Sequence, residues 1–349
     1  MNQVRVRRRS LNGVLLFDKP LGWSSNDAVQ RLRGLFNAEK AGHTGTLDPL
    51  ATGLLPVLFG EATKFSADLL DADKTYVARV RLGYSTSTGD LEGEAVKRAP
   101  DASYTQLTAE QIERVLRSFE GDQQQVPPMY SALKRDGRAL YEYAREGVEV
   151  ERQPRDIHIS AIRLMDVFHG NVTADGQTVS EFDMSVTCSK GTYIRVLAED
   201  IGEKLGCFAH LSALRRTAVG DLQLDQRART WDALCEHAVE VADKVQDEVR
   251  RGATPSRPPR MRLDDAHVNG HLAPVDSLLS SLPAIELVPE LAQRFTQGQR
   301  LPLGNRTEQG RVRVYRTQAH ALLGTGFLNN DGAGNSLLCP ERLVREQLS

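Results

Sequence analysis

The sequence has no apolar run close to the roughly 20 residues that a membrane-spanning helix needs. The apolar stretch 14–17 is interrupted at once by Asp18, Lys19 and Pro20, so it is also too short for the core of a secretory signal. We therefore expect a protein without a membrane anchor that works in the cytoplasm.

Cysteine is scarce, and the few thiols are scattered along the chain. None belongs to a CxxC pair, which argues against a zinc site and against a disulfide framework. We expect reduced, mostly buried thiols at Cys188, Cys207, Cys235 and Cys339.

An excess of charge of one sign is absent too, because 44 basic and 46 acidic residues give a net charge of −2. The whole molecule therefore does not indicate a polyanionic partner. Basic residues do form local runs, and one such run alone is more typical of a solvated surface. Several runs separated by acidic surface favour one basic face that binds nucleic acid. The runs are Arg5 with Arg7–Arg9, Lys134 with Arg135 and Arg138, Arg215 with Arg216, and Arg257 with Arg260 and Arg262.

The length of 349 residues allows a large core and a second, smaller domain. We interpret residues 1–10 as a basic disordered tail and residues 11–247 as the main domain. Residues 248–272 are rich in Pro, Arg, Asp and Gly and are predicted to be a linker or inserted loop. Residues 273–349, with short strand patterns and many glycines, are predicted to form a small β-rich domain.

Hydrophobic spacing predicts alternating strands and helices in the main domain. Residues 13–17 are a buried strand candidate, followed by a helix that Ser24 or Ser25 caps. The apolar run 54–59 contains Pro56, which favours an edge or irregular strand. Residues 76–82 alternate strictly, so they predict a half-buried strand that directs Tyr76 inward.

The most unusual stretch is the glycine-rich run 41–53, which contains Asp48. Its glycines allow positive φ or a close ligand approach, and Pro49 biases Asp48 toward an extended conformation. Asp48 is the only acidic group there, and its apolar neighbours favour a carboxylate that acts as nucleophile or base. Asp-Pro and glycine-rich segments are also common in structural turns, so this interpretation depends on suitable partners elsewhere.

Three residues are candidate partners of Asp48. Tyr193 and Arg195 lie two apart at a predicted strand-to-helix junction, where they can point to the same side. An arginine beside Asp48 would keep the carboxylate ionised and oriented. Tyr76 could stack on a planar base or exchange a proton with it. Each residue also has a structural explanation: Tyr76 as a core aromatic, Tyr193 as packing and Arg195 as a surface cation.

Taken together, these motifs resemble the ordered motif set of TruB-type tRNA pseudouridine synthases. The resemblance covers roughly residues 11–234, and a weaker likeness links the C-terminal region to the PUA-like domain of that family. The motifs are Lys19-Pro20 with Gly22, GHTGTLDPLATG at 42–53, Lys74-Thr75-Tyr76, KGTYIR at 190–195, and Leu214-Arg215-Arg216.

The resemblance implies an α+β fold: a catalytic domain on a mixed, largely antiparallel sheet with flanking helices, plus the small PUA-like domain. It implies isomerisation of uridine 55 in the T loop of tRNA to pseudouridine, without metal or cofactor. The T arm of tRNA is then the partner, and we expect a monomer with no protein partner. Residues 122–155, rich in Gln, Pro, Tyr and basic residues, match a mobile insertion that closes over RNA.

The resemblance also implies a role for each matching residue. Asp48 matches the catalytic aspartate, Tyr76 the tyrosine that lies against the target base, and Arg195 the arginine paired with the aspartate. The other matches are substrate-binding positions: Tyr193 and Leu214 line the uracil pocket, His43 contacts the flipped loop, and Lys19 belongs to the same set.

Two other classes of protein compete with this interpretation. A retaining glycoside hydrolase needs a second carboxylate at a defined separation, and the loops around Asp48, Tyr76 and Arg195 offer no obvious one. A non-catalytic module that binds or folds tRNA would carry the same basic runs. An acidic group among phosphates has no use in mere binding, so Asp48 favours the enzyme. Whether Asp48 would trap the sugar covalently or remove a proton from it stays open.

Overall fold

The computed structural model describes residues 8–240, 261–304, 306, 308–317, 319–330 and 335–345. Most of the predicted tail and residues 248–260 of the predicted linker lie outside these described residues. Within the described ranges, no helix is both long enough and apolar enough to span a membrane.

Helices begin where the sequence supplies caps. The Ser24 side chain accepts a hydrogen bond from the Asp27 N–H, and the Asp27 carboxylate accepts one from the Ser24 N–H. Thr108 and Gln111 form the same reciprocal pair. The helices are α1 (Ser25–Leu35), α2 (Ser66–Leu70), α3 (Ala109–Arg117), α4 (Leu140–Arg145), α5 (Ile194–Lys204), α6 (Trp231–Cys235) and α7 (Pro289–Thr296), with 3-10 turns at Gly60–Phe65, Asp101–Ser103, Asn269–His271 and Val275–Leu279.

Strands make up most of the remaining regular structure. They are β1 (Gly13–Lys19), β2 (Ala41–His43), β3 (Ala51–Phe59), β4 (Lys74–Leu82), β5 (Tyr84–Thr86), β6 (Ala95–Arg98), β7 (Gly121–Gln125), β8 (Lys134–Arg135), β9 (Arg138–Ala139), β10 (Arg155–Val172), β11 (Thr178–Cys188), β12 (Ala209–Val219), β13 (Leu222–Gln223), β14 (Ala238–Glu240), β15 (Met261–Leu263), β16 (Ala284–Leu287), β17 (Leu301–Pro302), β18 (Gly310–Arg316), β19 (Ala321–Asn330) and β20 (Ser336–Leu343).

The main sheet has the strand order β1-β3-β12-β4-β11-β10-β7, with β2 added to β3 and β13 added to β12. Its pairs are antiparallel except for β3 and β12, which run parallel. Helices α1, α3 and α5 pack on one face of this sheet. The predicted α+β class with a mixed, largely antiparallel sheet and flanking helices is confirmed.

The two faces of β1 belong to two cores, because successive side chains of a strand point to opposite sides. Leu15 and Phe17 pack in the core that the three helices cover. Val14 and Leu16 pack on the other face, with Phe65 of the first 3-10 turn among their neighbours. The predicted strand at 13–17 is therefore correct, and it is buried on both sides.

Pro56 predicted an edge or an irregular strand, and the edge alternative is wrong. Strand β3 lies inside the sheet, with β1 on one side and both β12 and β2 on the other. On that second side the ladder to β12 ends at Gly53 and the ladder to β2 begins at Val57. Pro56 falls in the gap between them, where its missing N–H breaks no ladder bond.

The described part of the predicted linker is not a free connection. Strand β15 pairs with β14, and Leu263 is fully buried in the main core. Ala273 exchanges two backbone hydrogen bonds with Val14 of β1. The small β-rich domain therefore begins later than residue 273. Its own core starts at Ile285 and lies between α7 and the sheet β16-β18-β19-β20-β17.

Candidate active site

Helix α1 holds the loop that carries Asp48. The buried Ser25 hydroxyl accepts a hydrogen bond from the Leu47 N–H at 2.8 Å and donates one to the Leu47 carbonyl at 3.1 Å. The N–H of Gly22 donates to the Pro49 carbonyl at 2.9 Å. The residues on both sides of Asp48 are thus fixed by the chain that enters α1.

The start and the end of the same loop are tied to Arg216 of β12. Its Nη2 donates to the Gly45 carbonyl at 2.9 Å, and its Nε donates to the Leu54 carbonyl at 2.8 Å. Gly53 has φ of +95°, and a Cβ there would lie 2.3 Å from the Arg216 carbonyl oxygen. Only glycine allows β3 to pass β12 at this distance.

Asp48 and Arg195 form the predicted pair. The Arg195 Nε lies 2.9 Å from the Asp48 Oδ2, and the Asp48 side chain stays 44% exposed whereas that of Arg195 is 6% exposed. Arg195 comes from the first turn of α5, and its two terminal nitrogens donate to the carbonyls of Thr88 and Tyr130 at 2.8 and 2.7 Å. The buried Asp90 carboxylate lies 3.8 Å from the same Nε. The guanidinium is therefore fixed, and the carboxylate it orients faces open space.

That open space is a cavity of about 340 Å³, near the lower end of the range of roughly 300–1,000 Å³ that is usual for ligand sites. Tyr76 from β4, Leu214 from β12 and Tyr193 line it together with Asp48 and Arg195. Burial raises the pKa of Tyr76, and the Arg216 guanidinium opposes that rise. Burial also raises the pKa of Tyr193. Both tyrosines are therefore neutral phenols at neutral pH, which suits contact with a planar, uncharged base.

The insertion at 122–155 contributes to this cavity as well. At its root, the Gln125 side chain accepts a hydrogen bond from the Tyr193 N–H at 2.8 Å and donates one to the Tyr193 carbonyl at 3.1 Å. Ser131, Ala132 and Leu133 then line the cavity wall. The insertion therefore forms part of the site and contacts Arg195 through Tyr130.

Two of the predicted substrate-binding residues do not line the cavity. Lys19 is 0% exposed, and its ammonium donates to the carbonyls of Pro20 and Trp23 at 3.0 and 2.6 Å. Burial lowers the pKa of Lys19 to about 8, although the Asp48 charge opposes this. His43 is half-buried, and burial together with Arg216 lowers its pKa. The position of Lys19 indicates support of the loop before α1, and a substrate contact by either residue stays a prediction.

Comparison with known proteins identifies the family of the chain. Three family models match consecutive parts of the chain: the N-terminal domain of TruB family pseudouridylate synthases at 33–194, the C-terminal domain of tRNA pseudouridylate synthase B at 195–280, and the C-terminal region of pseudouridine synthase II TruB at 283–344. The tRNA pseudouridine synthase B of Ralstonia nicotianae is 50% identical over 343 residues, which cover 98% of this chain and 97% of that protein. The chain belongs to the TruB family of pseudouridine synthases.

Other relatives of this TruB-family enzyme agree. The tRNA pseudouridine synthase B of Burkholderia lata is 50% identical over 345 residues, covering 97% of this chain and 92% of that protein. Among solved structures, one described as a crystal structure of a Cbf5-Nop10-Gar1 complex matches with a TM-score of 0.62 and 25% identity, covering 90% of this chain and 78% of that one. The likeness therefore extends over the catalytic and the C-terminal regions.

Sequence reasoning did not assign three residues that build this TruB-family site: Arg216, Asp90 and Gln125. Arg216 could have been found, because it lies two residues after Leu214 on one strand and so points to the same face. Asp90 and Gln125 come from an irregular loop and from the end of a polar strand, where no periodic pattern marks them. Among the described residues, no group of His, Cys, Asp and Glu side chains could hold a metal ion.

Proposed function

We propose that this enzyme converts uridine 55 in the T loop of tRNA to pseudouridine, with Asp48 as the catalytic group. The observation that carries the proposal is an exposed carboxylate, held at 2.9 Å by a buried arginine, at a cavity that also presents Tyr76. The relatives' name, tRNA pseudouridine synthase B, supports tRNA as the substrate.

The reaction moves one bond within a nucleotide. The bond between N1 of uracil and C1′ of ribose breaks, the base turns in the cavity, and C5 bonds to C1′. C5 loses its proton and N1 gains one, so no atom is added overall. Asp48 either bonds to C1′ during the exchange or removes a proton from the sugar, and one carboxylate suffices for each route.

The cavity can receive a base only after that base leaves the stack of its RNA loop. Tyr76 offers a ring surface for the uracil, and Leu214 and Tyr193 line the same cavity. Arg195 aims Asp48 at the cavity, because its Nε holds the Asp48 Oδ2 at 2.9 Å. These roles assign Asp48, Tyr76 and Arg195 to catalysis and the lining residues to substrate binding.

We assign the remaining parts to RNA binding. The insertion at 122–155 closes over the T arm, and the C-terminal domain acts as a PUA-like RNA contact. His43 and Lys19 act at the edge of the site and behind it, respectively. We further propose that the protein works in the cytoplasm, where tRNA is processed, and that it needs no partner protein for catalysis.

The decisive test is incubation of an unmodified tRNA transcript with the enzyme, followed by mapping of pseudouridine at single-nucleotide resolution. We expect product at position 55 with the wild type and none with Asp48→Asn, which keeps the shape of the side chain and its tRNA affinity. Asp232→Asn, an exposed change on α6, serves as the matched control and should retain activity.

Two results would overturn the proposal in different ways. Turnover at the normal rate in Asp48→Asn would remove Asp48 from the mechanism. A wild-type enzyme that binds tRNA tightly and modifies no uridine would instead favour the second candidate, a module that binds or folds tRNA.

A further inference from the structure

Arg216 is the largest fully buried side chain of the molecule's described part, with 1% of its surface exposed. Burying a guanidinium is costly unless a carboxylate compensates the charge. Within residues 8–240 and the later described ranges, no carboxylate lies within ion-pair distance of Arg216. Its partners are the carbonyls of Leu54 and Gly45 and the hydroxyl of Tyr76.

Other cations near Arg216 increase the positive charge below the cavity. The Lys74 ammonium is also buried and donates to carbonyls of the chain at 69–72. Burial and the charge of Arg216 lower the pKa of Lys74 to about 8. Burial lowers the pKa of Lys19 and of His43 as well, and the charge of Arg216 adds to both effects, whereas an arginine keeps its proton in proteins. A permanent positive charge is thus fixed at a cavity wall, and the nearby carboxylate Asp48 is already paired with Arg195.

The register of the sheet places the Arg216 guanidinium beside the position proposed for the substrate base. Arg216 on β12 stands opposite Tyr76 on β4, and both line the cavity. A ring that lies against Tyr76 is therefore within the field of the guanidinium. Such a field acts strongly in a site from which water is excluded.

We propose that Arg216 is a catalytic residue that stabilises the negative charge of the departing uracil. When the bond between N1 and C1′ breaks, its electron pair leaves with N1, and the base becomes an anion whose charge spreads over N1 and the two carbonyl oxygens. The sugar loses that electron pair in both routes open to Asp48, so the role does not depend on which route operates. The charge disappears again when C5 bonds to C1′ and N1 takes a proton. This inference rests on the proposed function.

The test compares two tRNA transcripts, one with uridine and one with 5-fluorouridine. Fluorine withdraws electrons and makes the base a better leaving group, so cleavage of its glycosidic bond depends less on external stabilisation. We expect Arg216→Gln to slow single-turnover cleavage of the uridine bond by roughly 10²–10³-fold. The loss with 5-fluorouridine should be at least tenfold smaller. Digestion of the tRNA and chromatography of the nucleosides measure both rates.

The design separates chemistry from folding. Both transcripts are tested with the same preparation of each variant. A misfolded fraction therefore lowers both rates equally and cancels when the rate loss on uridine is divided by the rate loss on 5-fluorouridine. Arg216→Lys retains the charge but not the forked hydrogen bonds, and it should recover part of the rate on uridine. Arg215→Gln is the matched control: this neighbour points to the other face and pairs with Asp18 at 2.6 Å, so any loss should be equal for both transcripts.

Each other outcome has a definite meaning. Equal losses of Arg216→Gln on the two transcripts, with an active wild type, would show a structural role and overturn the inference alone. Weaker tRNA affinity with a normal rate at saturating enzyme would reassign Arg216 to a phosphate contact and also overturn it. A wild type inactive on tRNA would overturn the proposed function, and the inference with it.

Discussion

Arg195 and Asp48 form an ion pair whose two members lie in different surroundings. The arginine is buried and satisfied by two carbonyls as well as by Asp48, whereas the carboxylate is nearly half exposed. An exposed pair usually contributes little to stability. The three fixed bonds of Arg195 therefore matter more for the orientation of Asp48 than for the stability of the fold.

This geometry predicts how Arg195 variants behave. Arg195→Lys supplies a point charge and cannot bond to Asp48, Thr88 and Tyr130 at the same time. We therefore expect single-turnover rates to fall roughly 10–100-fold, which corresponds to about 1.5–3 kcal/mol for a lost charged hydrogen bond. Arg195→Met should lose nearly all turnover. Both should bind tRNA almost normally in filter-binding assays. A variant that binds poorly but reacts at the normal rate once saturated would assign Arg195 to a phosphate contact instead.

At the scale of the element, helix α5 carries a second ionisable group one turn after Arg195. Burial raises the pKa of Glu199 from 4.5 to about 7, and the charge of Asp200 adds to the effect. At pH values between 4.5 and about 7, Glu199 is protonated in the folded state and has lost its proton in the unfolded state. The free energy of unfolding therefore falls as the pH rises from about 4.5 to about 7, and this loss of stability persists at higher pH.

Glu199→Gln removes this penalty. We expect the variant to be more stable than the wild type by about 1–2 kcal/mol at pH 8, since partial exposure reduces the roughly 3 kcal/mol that the full change in pKa would give. The advantage should shrink toward pH 5, as urea unfolding at both pH values would show. Glu92→Gln, an exposed change, is the control. An advantage of equal size at both pH values would mean that Glu199 does not titrate between them.

The insertion at 122–155 combines a fixed root with a lightly packed tip. Strand β7 pairs with β10 along its whole length, and Gln125 clamps Tyr193. Beyond the root, the short hairpin of β8 and β9 and helix α4 bury few side chains, among them Ala139 and Leu140. So little buried apolar surface offsets only part of the ordering entropy.

We therefore expect amide hydrogen exchange to be fast at 134–148 in the free enzyme and slower with tRNA bound. Residues 121–125 should be protected in both states, which makes them the internal control. Asp48→Asn allows the complex to be measured without turnover. Strong and equal protection of 134–148 in both states would show that the tip belongs to the rigid core.

The sequence predictions that succeeded were based on hydrophobic periodicity and on helix-capping residues. Alternation at 76–82 correctly predicted a strand that begins near Tyr76, and the cap at Ser24 or Ser25 correctly located α1. The errors came from features that depend on distant partners. Pro56 fits an inner strand only because two ladders end beside it, and the linker buries Leu263 against a core that composition does not reveal. Asp90 and Gln125 were missed for the same reason.

At the scale of the molecule, the C-terminal domain contacts the catalytic domain through polar groups as well as through an apolar cluster to which Leu322 and Val344 belong. Asp68 of α2 is 8% exposed and pairs with Arg311 and Arg342, which come from the small sheet. Arg342 also donates to the Lys64 carbonyl at 2.6 Å, and the Tyr315 hydroxyl donates to Asp276 at 2.7 Å. A single carboxylate thus holds two strands of the second domain against the first.

Asp68→Ala leaves both arginines partly buried without that partner, and we expect the two domains to separate more readily. Removing one member of a buried pair costs about 3–5 kcal/mol, and the partial exposure of the arginines reduces this to about 1–3 kcal/mol. If the second domain contacts RNA as proposed, tRNA affinity should weaken about tenfold while the single-turnover rate at saturating enzyme stays within about twofold.

Limited proteolysis between the domains and filter binding measure the two effects. Asp225→Ala, which removes a local ion pair with Arg227 inside the catalytic region, is the control. Unchanged affinity together with faster proteolysis would show that the C-terminal domain does not contact tRNA.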